Sequence, residues 1–358
     1  MLRVGMLTSG GDCQALNATM RGVVKGLENL FDDVEIYGFK DGYKGLIYDK
    51  YVKMKPMDFA GILNKGGTIL GTSRMPFKMM DVPTEDGIEK VPAMVKTYKK
   101  HDLDVLVVLG GNGSQKTANR LSEEGLNVIG LPKTIDNDLW GTDLTFGFHS
   151  AINVATQAID CIYTTAESHS RVFVVEIMGH KVGWITLYAG IAGGADVILL
   201  PEVPYDMKKV VKAIEKRTKQ GKRFTIICAA EGAISKEVAA LPKKERKAAI
   251  ANSPYTSVAY EIADKIRENF PATDVRVAVP GHTQRGGSPA AYDRFISSCF
   301  GAKAAELIKD KDFGKLVVLK GTEVTAIPLS ESAGKLKYVD VDNQAIQEAK
   351  TMGISFGD

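Results

Sequence analysis

The stretch VLVVLGGNGS at residues 105–114 joins a short apolar run to a glycine-rich turn. The apolar run is too short and too rich in valine for a helix, and it favours a buried strand. Glycines directly after a strand let the backbone approach an anion closely, and the amides of a turn that opens a helix donate to that anion. The same order of strand and polar turn occurs in MLTSGGD at residues 6–12 and in LPKTIDND at residues 131–138. We expect the helices that follow the glycine turns at residues 8–12 and 110–114 to begin near Gln14 and near Gln115.

Short apolar runs alternate with amphipathic segments along the whole chain. Leu16, Met20 and Val23 recur at helical spacing, as do Val258 and Ile262, and each set marks the apolar stripe of one helix. This alternation is typical of parallel strands that are buried by crossover helices, so the sequence predicts an α/β fold. The predicted strands are Val4–Leu7, Val34–Phe39, Val105–Leu109, Val128–Leu131, Val172–Ile177, Val197–Leu200, Phe224–Ala229 and Val275–Val279.

Three polar turns follow predicted strands directly, at residues 8–12, 110–114 and 132–138. Ligands of an open parallel sheet bind beyond the carboxyl ends of its strands, so we expect the three turns to line one crevice. A glycine pair taken alone is as often the chemistry of a tight turn, and Asp136 with Asp138 taken alone favours an Asx turn or a helix cap. The turns lack both the Gly-Lys-Ser/Thr end of a Walker A loop and the GxGxxG pattern of dinucleotide-binding folds.

The composition is that of a globular protein with about two domains. The chain has 358 residues, 44% of them hydrophobic and 25% charged, and domains average roughly 150 residues. The formal net charge of +3 is too small to predict a nucleic-acid-binding surface. Four dispersed cysteines without a CxxC pair indicate neither a zinc site nor a disulfide framework, which favours a cytoplasmic location. No stretch of about 18 apolar residues occurs, so we expect no contact with a membrane.

Seven stretches, which include the three turns, carry the polar and glycine-rich patterns of the chain. They are Thr8–Asp12, Gly66–Thr68 with Ser73 and Arg74, Gly110–Ser114, Pro132–Asp138, Arg171 to Gly179, Ala230–Gly232 and Gly281–Pro289. In these motifs and their order the sequence resembles the phosphofructokinases over nearly its whole length. The resemblance implies two similar three-layer α/β/α domains with mainly parallel sheets. It places a donor-binding domain at residues 1–147 and about 284–334, and a sugar-phosphate-binding domain at about 148–283 and 335–358.

The resemblance implies that the three turns form the site at which a phosphoryl group is transferred to the 1-hydroxyl of fructose 6-phosphate. Such a reaction asks the protein for positioning and charge stabilisation rather than for covalent help. The resemblance implies that Asp136 is the general base, that Thr134 and Asp138 support it, and that Lys133 stabilises the transferred or leaving group. Magnesium is expected at Asn112 and Asp138. The residues implied to hold the donor, ATP or pyrophosphate, are Gly10, Gly11, Ser73, Arg74, Gly110, Gly111, Asn112, Gly113 and Ser114.

The resemblance also implies a set of residues that hold the sugar phosphate. Arginine suits this task because its planar fork binds phosphate oxygens in a bidentate manner, although single arginines are more often surface or ion-pair residues. In the family, Arg171 and Arg276 reach the sugar phosphate of the neighbouring subunit, which implies a homodimer or homotetramer with shared active sites. The residues implied to contact fructose 6-phosphate are Thr134, Asp136, Asp138, Arg171, Met178, Gly179, His180, Glu231, Arg276, His282 and Arg285.

Four positions bear on the choice of donor. Asn112 stands where the family has an aspartate that helps to hold magnesium, and an amide lacks the charge that a hard cation prefers. Gly113 permits ATP, because pyrophosphate-dependent members carry an aspartate there that would collide with the α-phosphate. Lys133 is shared with pyrophosphate-dependent members. His180 stands where the family often has an arginine.

These positions favour an ATP-dependent phosphofructokinase of glycolysis and leave two alternatives open. Lys133 favours a pyrophosphate-dependent phosphotransferase. Asn112 and His180 favour a catalytically weak sensor of phosphosugars or nucleotides, because both remove charge where phosphoryl transfer needs it. A lipid or NAD kinase shares only the Gly-Gly-x-Gly turn. Allosteric regulation is typical of the family, but the sequence names no effector.

Overall fold

A computed structural model describes all 358 residues of the chain. The chain divides into two compact units: unit 1 comprises Met1–Ser150 and Arg285–Lys337, and unit 2 comprises Ala151–Gln284 and Tyr338–Asp358. The chain passes from one unit to the other at three places. The domain bounds predicted from the sequence lie within a few residues of each of these places. The assignment of one unit to the donor and the other to the sugar phosphate stays a prediction.

Strands and helices alternate along most of the chain. The strands are β1 (Leu2–Ser9), β2 (Val34–Phe39), β3 (Tyr51–Met54), β4 (Val105–Gly110), β5 (Val128–Pro132), β6 (Val172–Ile177), β7 (Val197–Leu199), β8 (Thr225–Ala230), β9 (Val275–Ala278), β10 (Lys315–Lys320) and β11 (Glu323–Pro328). The helices are α1 (Leu16–Leu30), α2 (Tyr43–Ile47), α3 (Lys90–Lys100), α4 (Asn112–Glu123), α5 (Phe148–His169), α6 (Trp184–Ala192), α7 (Met207–Lys219), α8 (Lys236–Ala239), α9 (Lys243–Ala251), α10 (Val258–Asn269), α11 (Ala291–Lys309), α12 (Leu329–Ser332) and α13 (Gln344–Thr351). Not one of these helices combines the length and the apolar character that crossing a membrane requires.

Unit 1 contains a seven-stranded sheet in the order β11-β10-β5-β4-β1-β2-β3. The five inner strands pair in parallel, and the two edge strands β3 and β11 pair antiparallel. Every residue of β4 is buried, as expected for a central parallel strand covered on both faces. The resulting core includes Leu106, Val108 and Val318.

Unit 2 contains a smaller sheet in the order β7-β8-β6-β9, and all of its strands are parallel. Val174, Ile227 and Ile262 are fully buried in its core, where α10 supplies the last of these side chains. Two mainly parallel sheets, each connected by helices, confirm the predicted fold class.

All eight predicted strands are present, but two expectations about boundaries need correction. Helix α4 begins at Asn112 and not near Gln115, so Gly113 and Ser114 belong to its first turn. Helix α1 begins at Leu16, two residues later than the position near Gln14 that the sequence indicated. Strands β3, β10 and β11 are additional to the prediction.

Candidate active site

The three polar turns of unit 1 come together because they follow neighbouring strands. Strands β1, β4 and β5 are adjacent and parallel, so their carboxyl ends lie at the same edge of the sheet. The register pairs Ser9 with Gly110, and Gly110 with Pro132. The structure therefore brings the first, second and third turns into one cluster, as the sequence predicts.

Lys133 connects all three turns. Its side chain is only 4% exposed, its ammonium donates to the Gly11 carbonyl, and its backbone N–H donates to the Gly110 carbonyl at 3.1 Å. Burial lowers the pKa of this amine to about 8, and Asp136 and Asp138 act in the opposite direction by favouring its charged form. Both carboxylates of the third turn are thus close enough to Lys133 to interact with its charge.

The first turn is shaped by two glycines. Gly10 has a φ of +88°, which favours glycine, and a Cβ there would lie 3.3 Å from the Lys133 Nζ. A Cβ on Gly11 would lie 2.8 Å from Nη1 of Arg285, which donates to the Asp12 carbonyl at 3.0 Å. The structure therefore places Arg285 beside the first turn, within unit 1.

The segment predicted to reach the donor lies against the same turn. The Gly10 N–H donates to the Ser73 carbonyl at 3.0 Å, and the Thr72 hydroxyl donates to the Gly10 carbonyl at 2.7 Å. The Ser73 hydroxyl donates to the Asp41 carbonyl at 2.6 Å. The neighbouring Arg74 is exposed. These contacts bring Ser73 to the first turn, and Arg74 is the next residue in the chain.

The second turn leads directly into α4. The Ser114 hydroxyl donates to the Ser9 hydroxyl at 3.0 Å, which links the second turn to the first. The Asn112 amide donates to the Lys335 carbonyl at 2.5 Å. Gly113 is exposed, and a Cβ added there would meet nothing within 4 Å. The first turn of a helix presents backbone amides that can donate to an anion, so the start of α4 has the donors that the sequence prediction requires.

The third turn contains both carboxylates. The Thr134 hydroxyl accepts from the Asp136 N–H at 3.1 Å, and the Thr145 hydroxyl donates to the Thr134 carbonyl at 2.7 Å. Asn137 has a φ of +53°, a left-handed conformation that asparagine tolerates better than most residues. Its Oδ1 accepts from the Thr145 N–H at 3.0 Å. Asp136 and Asp138 flank this fixed asparagine and are only partly buried.

Unit 2 brings together a second group of predicted residues. Met178, Gly179 and His180 follow β6, and Glu231 follows β8, the neighbouring strand. The Glu231 N–H donates to the Ile177 carbonyl at 2.9 Å. These four residues therefore lie at the carboxyl end of the sheet of unit 2.

Gln284 joins this group to His282. Its side-chain Oε1 accepts from the Met178 N–H at 3.1 Å, and its Nε2 donates to the Gly281 carbonyl at 3.1 Å. The side chain is completely buried. The sequence prediction gave Gln284 no role, although the residue lies within the motif at Gly281–Pro289. Its polar side chain between His282 and Arg285 was the one sign in the sequence that it could belong to the site.

Arg171 and Arg276 do not lie with that group. Arg171 precedes β6 and Arg276 lies near the beginning of β9, so both are at the amino end of the sheet. Both pair with Asp274: Nε of Arg171 lies 2.6 Å from its Oδ2, and Nε of Arg276 lies 2.8 Å from its Oδ1. The two guanidinium groups lower the pKa of the Asp274 carboxyl through hydrogen bonds and charge. The residues that the sequence predicts to bind the sugar phosphate therefore lie in two separate groups within one chain.

No three His, Cys, Asp or Glu side chains are grouped so that they could hold a metal ion by themselves. Magnesium in nucleotide-dependent enzymes is typically held by one or two carboxylates and by phosphates of the substrate. The donor set of the three turns, with Asp138 and Asn112, fits that kind of site rather than a cage built by protein alone.

Relatives of known name match the chain over its full length. An ATP-dependent 6-phosphofructokinase of Spirochaeta thermophila is 51% identical over 99% of this chain and 97% of its own length. ATP-dependent 6-phosphofructokinase 3 of Bacteroides thetaiotaomicron is 43% identical over 99% of this chain and 100% of its own length.

Solved structures show the same fold. The phosphofructokinase of Pichia pastoris in the T-state matches 93% of this chain with 31% identity and a TM-score of 0.79, and the match covers 35% of that longer chain. A pyrophosphate-dependent phosphofructokinase of Marinobacter aquaeolei matches 99% of this chain and 92% of its own, with a TM-score of 0.82 but 20% identity, which shows the fold alone. The family model for phosphofructokinase matches residues 3–308. The chain therefore belongs to the phosphofructokinase family.

Proposed function

We propose that this chain is an ATP-dependent 6-phosphofructokinase, which transfers the γ-phosphoryl group of ATP to the 1-hydroxyl of fructose 6-phosphate. The observation that carries the proposal is the cluster of three turns in which Lys133 connects Gly11 and Gly110 to the turn that holds Asp136. Relatives that are 42–51% identical over nearly their whole length carry the name of that activity. A cytoplasmic location remains a prediction from the dispersed cysteines.

In the proposed mechanism, Asp136 accepts the proton of the attacking hydroxyl. The amides at the start of α4 and the charge of Arg74 bind the donor phosphates, and the Lys133 ammonium stabilises the negative charge that develops on the transferring group. Gly10 and Gly11 let Lys133 and Arg285 lie against the first turn, because a Cβ at either position would meet one of these side chains.

Magnesium would bind with the donor. Asp138 supplies a carboxylate and Asn112 an amide oxygen, and the phosphates of ATP complete the oxygen ligands that this hard cation prefers. The metal neutralises charge on the phosphates when it is bound. The sugar phosphate is proposed to bind Arg285, and Met178, Gly179, His180, Glu231 and His282 are proposed to contact it.

The role of Asp136 is tested by Asp136→Asn. We expect kcat to fall by about 10² to 10⁴, because a positioned base contributes about that factor, while the KM for fructose 6-phosphate changes little. Asp143→Asn is the matched control, since Asp143 lies in the same region and its carboxylate accepts from the Gly321 N–H at 2.7 Å. A wild-type kcat in Asp136→Asn would refute the assignment, as would an equal loss in the control.

The donor is tested by initial rates with ATP and with pyrophosphate at equal magnesium. We expect the higher kcat/KM with ATP, and a higher value with pyrophosphate would support the pyrophosphate-dependent alternative. Gly113→Asp should abolish ATP use through collision with the α-phosphate, whereas Gly113→Ala should fold normally because its Cβ meets nothing within 4 Å. Calorimetric binding of fructose 6-phosphate without product from either donor would instead support the sensor.

A further inference from the structure

A partly buried lysine from the end of unit 1 reaches the third turn. The ammonium of Lys337 lies 3.0 Å from Oδ1 of Asn137, 2.9 Å from the Thr142 carbonyl and 2.8 Å from the Asp143 carbonyl. It therefore donates to three oxygens of a segment that precedes it by about 200 positions in the sequence. No motif of the sequence singled out this residue.

The backbone of the same segment adds a second connection. The Lys337 N–H donates to the Asp138 carbonyl at 2.9 Å, and Leu336 forms an isolated bridge with Leu139. Asn137, whose Oδ1 receives the ammonium, lies directly between the two carboxylates. Its left-handed φ of +53° needs such support from surrounding groups, because few non-glycine residues adopt that conformation.

From these contacts we propose that Lys337 is a positioning residue, which holds Asn137 in place and thereby orients Asp136 toward the reacting hydroxyl. The inference rests on the proposed function, because it assigns a use to the position of Asp136. Lys337 acts only through the turn, and no contact with substrate is assigned to it. An apolar residue in its place would remove one of the donors to Asn137 Oδ1, which would keep only its bonds from Thr145, and would leave the Thr142 carbonyl without its donor. The turn would then relax toward other conformations.

Lys90 offers a matched comparison within unit 1. It is 8% exposed, and its ammonium donates to the carbonyls of Met79 at 2.8 Å and Val82 at 2.5 Å. It is thus a buried lysine that is satisfied by backbone oxygens of a segment without a catalytic assignment. Lys90→Met should cost stability in the same way as Lys337→Met without changing kcat.

The experiment measures kcat, both KM values and thermal unfolding for Lys337→Met and for the milder Lys337→Gln, with Lys90→Met as control. We expect kcat to fall by about 10²-fold in Lys337→Met, the cost of displacing a catalytic group by about 1 Å. The KM for ATP and for fructose 6-phosphate should stay within about threefold of wild type, since the binding groups are retained. Lys337→Gln keeps two donors and should lose less.

A double-mutant cycle with Asp136→Asn separates orientation from general damage. If Lys337 acts through Asp136, Lys337→Met should lower kcat far less in the Asp136→Asn background than in wild type. An equal factor in both backgrounds would overturn the inference, as would a wild-type kcat in folded Lys337→Met. Failure of both Lys337 variants to fold would also overturn it, by assigning Lys337 to stability alone. A wild-type rate in Asp136→Asn would remove the proposed base, which is a different outcome.

Discussion

Lys133 carries its charge at a buried position, and this makes the charge sensitive to mild alkali. Burial lowers the pKa of the amine from 10.5 to about 8, so the group is charged below that pH and becomes neutral as the pH rises through it. If the charge stabilises the transferring phosphoryl group, it is fully available below about pH 7 and largely lost above about pH 9.

The expected outcome is a fall of kcat on the alkaline side with an apparent pKa of about 8. Lys337 also has its pKa lowered to about 8 by burial, so the wild-type profile alone does not identify the residue responsible. Arginine stays charged over this range, and Lys133→Arg should therefore remove the alkaline fall while Lys337→Arg leaves it in place. A profile from pH 6 to about 9.5 with ATP as donor checks this. Retention of the fall in Lys133→Arg would show that its charge is not the cause.

Single residues also show where prediction from sequence reaches its limit. The type and spacing of Asp136 and Asp138 after a strand were enough to predict a cluster with the two glycine turns. The sequence contained no sign of Lys337, because it is near Asn137 only through the folded chain. Gln284 was hidden for a different reason: its amide binds backbone atoms, and the sequence does not show which backbone atoms lie within reach.

At the level of elements, α1 and α11 pack closely because small residues face each other. A Cβ on Gly22 of α1 would lie 2.9 Å from the Ser298 carbonyl oxygen and 3.0 Å from its Cα. Both atoms belong to the backbone of α11, so relief requires a shift of a whole helix. The strand pattern predicted the sheets, but this contact depends on pairing helices that are far apart in the sequence.

Gly22→Ala should therefore lower the free energy of unfolding by about 1–3 kcal/mol through overpacking. Gly113→Ala is the matched control, because Gly113 is also helical and its Cβ would enter open space; alanine there should be neutral or stabilise by up to about 1 kcal/mol. Urea unfolding of both variants measures the difference. Equal stabilities of the two variants would contradict close packing between the helices.

Three strands were not predicted from the sequence, and two of them were missed for the same physical reason. Strands β3 and β11 lie at the edges of the sheet in unit 1, and their residues are partly exposed, so neither shows the continuous apolar run of an inner strand. Strand β10 differs, because Leu316–Leu319 is a buried apolar run of the expected kind. Inspection of that run would have found it, whereas the edge strands depend on pairing with neighbours.

At the scale of the molecule, the sheet of unit 2 separates two groups of residues that were assigned to one ligand. Arg171 and Met178 lie at opposite ends of β6, and seven residues of strand at about 3.3 Å each span about 23 Å. A hexose phosphate is much shorter than that distance. Within one chain the two groups therefore cannot hold the same molecule, which supports the expectation that Arg171 and Arg276 serve the sugar phosphate of a neighbouring subunit.

Shared active sites make a prediction about mixed oligomers. Asp136→Asn should lack the base, and Arg276→Ala should bind fructose 6-phosphate weakly; Arg276 is 56% exposed, so its loss should not disturb folding. If a site takes Asp136 from one chain and Arg276 from another, each mixed dimer contains one intact site, and random 1:1 mixing restores about a quarter of the wild-type sites. Activity is measured at subsaturating fructose 6-phosphate after the two variants are unfolded and refolded together.

Asp136→Asn mixed with Gly113→Asp is the control. Both changes lie in turns that one chain contributes to its own site, so no intact site can form in the mixed dimer. A mixture of the first pair that shows only the sum of the separate activities would mean that each chain builds its site alone.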